Sequence, residues 1–321
     1  MKLRPLLTGI LSLLPGARFA HYLRAKKTIN YADARYCYCV WLRHLAAARE
    51  SGLLSSFPLT IAELGPGSSL GTGLAGLLSG AQRYYGLDVV KYCSNNRNLE
   101  IFDELVALFR SRASIPDEKE LPHVKPLLDS YAFPGHILTQ ESLERTLDSE
   151  LIPLLRKELF ALNHGHPPQT RQIHYFAPWN SADTLEPSTV DMIYSQAVLE
   201  HAEPLGAVYK NLRKWLKPGG FMSHQIDFRS HGTAEDWNGH WEYSDIMWKL
   251  IKGGKPYLIN REPLSVHLAL QKEAGFKIIA VKKYLSATKL NPARLAGRFR
   301  HLSEEDLTVS GAFIQSVKPE N

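Results

Sequence analysis

Short apolar runs alternate with amphipathic stretches along most of the chain. The run Leu59–Leu64 follows Pro58 and ends at Gly65-Pro66-Gly67, a pattern typical of a buried parallel strand that enters a tight turn. A helical stretch over 70–78 and a second strand over 83–88 follow it. Strand, glycine turn, helix, strand and terminal acid, in this order, predict the opening unit of a doubly wound sheet.

The other strands are predicted from apolar or β-branched runs. These runs cover 174–176, 190–195, 220–227, 276–284 and 312–317, with a helix over 205–216 and a glycine turn over 217–220. We expect the last two runs to pair antiparallel at the edge of the sheet. The predicted fold class is therefore α/β: a Rossmann-like, doubly wound, mostly parallel seven-stranded sheet with an antiparallel edge strand, N-terminal helices and a helical insertion.

Helical spacing of apolar residues before the first strand predicts a helix over 31–54 that ends near Ser51-Gly52. We assign 1–54 to an N-terminal helical segment and 55–321 to one α/β domain. More than 80 residues separate Asp88 from the third strand, which is far more than one crossover needs. They include helical stretches over 101–109 and 143–160, and we interpret 111–172 as an insertion that either covers the ligand crevice or forms a peripheral helical pair.

Composition excludes a disordered or fibrous chain, because 44% of residues are hydrophobic and 22% are charged. The net charge of +6 is concentrated in a basic stretch over 277–300, which predicts either a solvated face or a surface for an anionic glycan, lipid headgroup or RNA. The three cysteines have no CxxC spacing and form no even set, so a reducing, cytoplasmic setting is expected.

The N-terminus combines Lys2 and Arg4 with an apolar run over 6–14. Pro5, the shortness of the run and Arg18 argue against a cleaved signal or a membrane span. Two interpretations stay open: a basic amphipathic segment at the inner face of a membrane, or a helix docked on the core of the protein.

The first glycine turn carries the candidate cofactor chemistry. Gly65 and Gly67 allow close backbone approach to a ligand, and the following helix N-terminus offers amide donors. Glu63 would repel a pyrophosphate but would accept hydrogen bonds from an α-ammonium group. Asp88 is placed to accept hydrogen bonds from ribose hydroxyls. An amino acid joined to a ribose indicates S-adenosylmethionine (SAM), whereas an NAD-dependent oxidoreductase is disfavoured.

The motifs between 59 and 228, in their order, resemble those of class I SAM-dependent methyltransferases. They are Glu63-x-Gly65-x-Gly67, Asp88, Asp191-Met192-Ile193-Tyr194-Ser195 with Gln196 to His201, and Leu216-Lys217-Pro218-Gly219-Gly220. The resemblance implies that Glu63, Gly65 and Gly67 bind the methionine end of SAM and Asp88 the ribose. It also implies that Val89 and Asp183 contact adenine, and that Ser195 and Gln196 line the cofactor near its sulfonium. Ser69 departs from the pattern, because many members have a third glycine there.

Candidate bases for a hydroxyl acceptor follow the fourth and fifth strands. Strand alternation puts His224 and Asp227 on opposite faces, so the candidates are His231 with Asp227, or His201. His224, His231, His240 and Asp227 lack the spacing of a known metal motif, and we predict no metal.

The acceptor is suggested by the sequence that follows the fifth strand. The segment 224–231, the aromatic stretch 237–248 and Asn260-Arg261 resemble bacterial methyltransferases of surface glycans and related metabolites. This resemblance implies methylation of oxygen on a saccharide or other small metabolite. Nucleobase methylation is disfavoured, because Ser195-Gln196-Ala197-Val198 replaces the Asn/Asp-Pro-Pro-aromatic motif of such enzymes. A non-catalytic SAM-binding scaffold or sensor of a membrane-associated assembly is the alternative function.

Overall fold

One seven-stranded sheet organises the molecule in the computed structural model, which describes residues 3–14, 33–91, 93, 97–148, 150–163, 172–179, 181–255 and 257–320. The strands are β1 (Thr60–Leu64), β2 (Arg83–Leu87), β3 (Ile173–Phe176), β4 (Val190–Gln196), β5 (Leu216–Asp227), β6 (Lys277–Leu285) and β7 (Val309–Val317). Their order across the sheet is β3-β2-β1-β4-β5-β7-β6. The α/β, Rossmann-like prediction is confirmed.

Strand direction follows the prediction with one refinement. The strands β3, β2, β1, β4 and β5 are mutually parallel, and β7 runs antiparallel to both of its neighbours, β5 and β6. The reversed strand therefore lies one place inside the edge. The predicted turn over 217–220 proves to be part of β5, because a register shift opposite Val190 and Met192 absorbs the extra residues.

Helices cover both faces of the sheet. They are α1 (Leu3–Leu11), α2 (Ala34–Glu50), α3 (Gly71–Leu78), α4 (Arg97–Arg110), α5 (Gln140–Leu147), α6 (Leu151–Asn163), α7 (Leu205–Trp215), α8 (Asp245–Lys252), α9 (Leu264–Glu273) and α10 (Glu304–Thr308). One large core joins the sheet to α2, α3 and α4, and another joins the opposite face to α7 and α9.

The N-terminal helix before the sheet begins later than its sequence predicts. Asp33 caps α2, because its side chain accepts a hydrogen bond of 2.6 Å from the Tyr36 backbone N–H. Tyr31, where the prediction began, lies outside the described residues. Gly52 ends the helix with a φ of +74°, as the Ser51-Gly52 signal predicts.

The segment between β2 and β3 departs from its prediction in one respect. A single helical stretch over 143–160 is wrong, since α5 ends at Leu147 and α6 begins at Leu151. The extended part of the segment is attached to α2 by the buried guanidinium of Arg43, which donates hydrogen bonds to the carbonyls of Pro116, Val124 and Pro126. Charged donors of this kind form strong bonds, so this attachment is firm.

The same segment crosses the carboxyl end of β4. The side-chain amide of Gln196 donates a hydrogen bond of 3.2 Å to the Lys125 carbonyl. Lys125 also lies over the ring of Tyr284, its ammonium 5.1 Å from the ring centroid. This part of the predicted insertion therefore borders the crevice end of the sheet, where open α/β folds bind ligands.

The helix α1 packs on α8 through its small residues. Gly9 lies against the Leu250 and Ile251 carbonyls so closely that a Cβ would collide with them. Ser12 accepts a hydrogen bond of 2.8 Å from the Gly254 backbone N–H. The other face of α1 exposes leucines, among them Leu7 at 57%. No helix within the described ranges is both long and apolar enough to cross a bilayer, and Lys2 and Arg18 lie outside those ranges.

Candidate cofactor and acceptor site

The glycine loop after β1 lies against the turn that follows β4. Gly65 has a φ of +67°, its N–H donates to the Leu87 carbonyl at 2.8 Å, and a Cβ built on it would come within 2.6 Å of Val198 Cγ2. Gly67 has a φ of +68°. Residues with a Cβ atom rarely adopt this left-handed backbone conformation, so both positions favour glycine.

Glu63 is a buried carboxylate beside this loop, with 6% of its surface exposed. Its Oε2 accepts hydrogen bonds from the Tyr84 hydroxyl at 2.7 Å and the Tyr194 hydroxyl at 3.3 Å. Burial raises the pKa of Glu63 to about 7, although the hydroxyls favour the charged form. A ligand cation placed here would gain a carboxylate that water barely screens.

Asp88 closes the other side of the loop at the end of β2. Its Oδ2 accepts hydrogen bonds from the Gly67 N–H at 3.1 Å and the Tyr175 hydroxyl at 3.4 Å, and its Oδ1 accepts one from the Val89 N–H at 2.9 Å. Burial raises its pKa to about 6. Val89 follows with 40% of its surface exposed. The fold thus brings Glu63, Asp88 and Val89, the predicted contacts of the methionine end, the ribose and one side of the adenine, to one edge of the sheet.

The glycines of α3 fit that helix against the site. A Cβ on Gly73 would overlap the ring of Tyr84, whose hydroxyl donates to Glu63. The Gly71-Thr72-Gly73 sequence therefore allows close packing of α3 on β2. Sequence analysis missed Tyr84, Tyr175 and Tyr194; the signal available was a tyrosine in each of three strands that parallel pairing brings close to the acids.

Ser195 and Gln196 lie at the end of β4 but face different surroundings. Ser195 is fully buried and forms a hydrogen bond of 2.7 Å with His224 Nδ1. Gln196 Oε1 lies 3.2 Å from His44 Nε2. Alternation along the strand separates the two side chains, so Gln196 is the one nearer the covering segment.

Asp183 does not join the two acids of the loop. It lies on the surface, where its Oδ1 accepts a hydrogen bond of 2.7 Å from the Lys214 ammonium. The ion pair holds its pKa below the usual range. Its adenine contact stays a prediction.

The three predicted catalytic residues, His201, Asp227 and His231, lie together. The ring centroids of His201 and His231 are 5.2 Å apart, and His231 Nε2 lies 3.3 Å from Asp227 Oδ2. Burial lowers the pKa of His201 to about 4, and His231 adds to the shift. Burial alone would raise the pKa of Asp227, but His231 and Arg229 hold it well below its usual range. Near neutral pH, His201 is an uncharged imidazole beside an ionised Asp227.

Most of the aromatic stretch after β5 serves the core. Trp241 is fully buried, and Tyr243 and Trp248 expose only 7% and 6%. The buried Arg261 guanidinium lies between the rings of Trp248 and Phe299, 4.7 and 4.9 Å from their centroids. These contacts show that the three aromatic side chains pack in the core.

Comparisons with known proteins give structural likeness only. No family model matches the chain, and no curated protein matches it. An S-adenosylmethionine dependent methyltransferase from Mesorhizobium loti is 15% identical with a TM-score of 0.41, over 84% of this chain and 95% of that one. A SAM-dependent methyltransferase from Methanosarcina mazei is 11% identical with a TM-score of 0.42, over 85% and 98%.

The match to a third solved structure covers only part of that structure's chain. Phosphoethanolamine N-methyltransferase 2 from Haemonchus contortus, in complex with S-adenosyl-L-methionine, is 15% identical with a TM-score of 0.41, over 87% of this chain and 53% of that one. At such values these structures carry no argument about activity.

Proposed function

We propose that the chain is a SAM-dependent methyltransferase that transfers a methyl group to an oxygen atom of a saccharide or another small metabolite. The observation that carries the proposal is Glu63, a buried carboxylate beside a glycine loop of left-handed backbone, with Asp88 on the other side. The residues fit SAM because the two acids match an ammonium group and ribose hydroxyls.

Glu63 would hold the α-ammonium group, Asp88 the ribose, and the exposed Val89 side chain the adenine face. When bound, the cofactor supplies an electrophilic methyl group on a sulfonium, whose sulfur keeps the electron pair of the broken S–C bond. The acceptor oxygen forms the new C–O bond with a lone pair and loses its proton. Alignment and exclusion of water supply much of the catalysis in such a displacement.

Proton removal is assigned to the residues after β4 and β5. The candidate bases are His201, whose buried ring is uncharged near neutral pH, and His231, which Asp227 orients. His201 follows the turn at Val198, which lies against the glycine loop, and the ring of His231, after β5, lies beside the ring of His201. A base here would therefore stand next to the cofactor end of the crevice.

Calorimetry with SAM tests this proposal. We expect wild type to bind, Glu63→Ala and Asp88→Ala to lose most of the affinity, and Glu104→Ala, which removes an exposed carboxylate of α4, to bind as wild type does. Transfer of a labelled methyl group into cell extract, with Glu63→Ala as the inactive control, then identifies the acceptor. If wild type does not bind SAM, the proposal is wrong.

A second candidate is a SAM-binding subunit at a membrane surface, favoured by one observation. Leu3, Leu7 and Leu11 on α1 and Ile246 on α8 are exposed by 66%, 57%, 57% and 75%, on two helices that pack together. Exposed apolar side chains on two adjacent helices suit the headgroup region of a bilayer. We expect the chain to sediment with anionic vesicles and the double variant Leu7→Asp/Leu11→Asp to stay in solution. Equal sedimentation of both proteins would exclude this role for α1.

A further inference from the structure

A mixed cluster of one carboxylate and two imidazoles lies where β4 and β5 end. Glu200 and His201 belong to the short turn after β4, and His231 follows β5. Because the two strands are parallel neighbours, their carboxyl ends meet at one edge. One ligand atom from each of Glu200, His201 and His231 lies within 4.8 Å of the other two. Sequence analysis did not single out Glu200, since only the fold brings it to His231.

Glu200 lacks partners in a way that requires an explanation. Its side chain is 2% exposed, and neither carboxylate oxygen has a hydrogen-bond partner among the residues that the structure describes. Nδ1 of His201 is likewise buried without a partner there. Native proteins pair nearly all buried polar groups, and an isolated buried carboxylate is very costly. A cation between these atoms would satisfy both groups at once.

The surroundings of His231 suit a metal ligand. Asp227 holds His231 Nε2 at 3.3 Å and is itself bound by Arg229, whose Nη2 donates to Oδ2 at 2.7 Å. Carboxylates that orient a coordinating imidazole in this way are typical of metal sites. The His231 side chain is 30% exposed, so the cluster opens towards solvent on that side. An acceptor or a water molecule would enter there.

We propose that Glu200, His201 and His231 bind a divalent transition-metal ion, with Asp227 orienting His231. One carboxylate and two imidazoles are ligands of Zn²⁺, Mn²⁺, Fe²⁺ or Co²⁺, whereas Mg²⁺ and Ca²⁺ prefer oxygen alone. This set of ligands shares only His231 with the four residues that were considered as a metal set from the sequence alone, which were His224, His231, His240 and Asp227. An ion bound at this site would contradict the expectation from the sequence that the chain binds no metal.

The role of the ion rests on the proposed methyl transfer. Val198, which lies against Gly65, precedes Glu200 by two residues, so the cluster is on the acceptor side of the cofactor loop. An ion there would bind the acceptor oxygen and lower the pKa of its hydroxyl, and the proton would leave to water. The imidazoles would then be ligands and not bases, which separates this mechanism from the metal-free one.

Cobalt titration of the full chain, stripped of metal by a chelator, tests the site. We expect wild type to bind one equivalent of Co²⁺ with a visible absorption band. Asp227→Asn changes only an orienting residue and should weaken Co²⁺ binding by the roughly 10- to 100-fold that is typical of such residues. Glu200→Gln and His231→Ala remove ligands and should weaken Co²⁺ binding by more than this. His123→Ala removes an exposed histidine and serves as the matched control. Equal Co²⁺ affinity in wild type and Glu200→Gln would overturn the site.

Two further measurements separate this proposal from the methyltransferase proposal. Co²⁺ should raise the melting temperature of metal-free wild type but not that of metal-free Glu200→Gln, because an ion that binds only the folded protein stabilises it. SAM affinity, measured by calorimetry, should be the same in both proteins. Loss of SAM binding in every protein with cobalt binding intact would reject the methyltransferase and keep the metal site.

Discussion

Affinity for SAM should depend steeply on pH because Glu63 must lose a proton to bind an ammonium group. Burial raises the pKa of Glu63 to about 7 in the free protein, and a nearby cation would lower it again. Affinity is therefore weak below pH 7 and grows as pH rises towards it. Between pH 5.5 and 7.0 the change in the ionised fraction of Glu63 alone corresponds to about 16-fold tighter binding. The cofactor's own α-amino group, with a pKa of about 7.7 to 8.0, stays mostly charged in this range.

Asp88 adds a smaller contribution to the same dependence. With a pKa of about 6, its ionisation over the same interval contributes about a further fourfold. The variant Glu63→Gln should bind SAM weakly and keep only this fourfold dependence. This variant distinguishes the two contributions, because the acids end different strands and are proposed to bind different parts of the ligand.

Calorimetry in two buffers of different ionisation enthalpy provides the assay. At pH 6.0, binding to wild type should release about 0.9 proton from Glu63 and about 0.5 from Asp88. Glu63→Gln should release only the smaller amount. Proton release that is the same in wild type and Glu63→Gln would refute the assignment of the ammonium group to Glu63, whatever the affinities are.

Three other predictions concern packing and charge around the site. Gly73→Ala should destabilise the fold by about 1–3 kcal/mol, because its Cβ would collide with Tyr84, and it should weaken SAM binding. Gly297→Ala is the control, because its Cβ would contact no other atom, and it should change neither property. Equal melting temperatures of the two variants would contradict this prediction. The change in the free energy of unfolding caused by Glu63→Gln should be about 2 kcal/mol more stabilising at pH 8 than at pH 5.5, because a carboxyl pKa that is raised in the folded state destabilises the fold at pH values above the unfolded pKa. Urea unfolding at both pH values measures this, and a pH-independent difference would count against it. Arg43→Ala should cost at least about 3 kcal/mol by leaving three carbonyls unpaired, and hydrogen exchange should then rise first over 113–128, while unchanged exchange there would disprove the attachment.

The glycine loop and its flanking acids could be predicted because their residues lie close together along the chain. The strand β1, the left-handed glycines, α3 and β2 with its terminal acid follow one another along the chain. Glu63, Gly65, Gly67 and Asp88 could therefore be placed at these turns before any pairing was known, whereas their contacts with SAM stay predictions. Tyr194 on β4 could not be assigned in this way, because only the register of β1 with β4 brings it beside Glu63. Glu200 was missed for the same reason, since its neighbour His231 belongs to another strand's loop.

The breaks between elements were harder to predict than the elements. Asp33 sets the start of α2 by a side-chain cap, which the helical periodicity of 31–54 does not contain. The split between α5 and α6 was likewise hidden, because apolar spacing continues across it. Periodicity reports which face of a segment is buried, whereas the backbone can stop and restart without losing that face.

The hydrogen bonds that join α2 to the sheet limit where this protein can be truncated. His44 forms hydrogen bonds with Ser223 on β5 at 2.8 Å and with Gln196 on β4 at 3.2 Å, and Trp41 donates one to Ser79 after α3 at 2.8 Å. A chain cut at residue 55 would keep every cofactor motif and still lose the layer that covers them, leaving an apolar sheet face open to aggregation. For expression, domain swapping or directed evolution, the unit to carry forward must therefore include α2 from Asp33 onwards, well before the first recognisable motif.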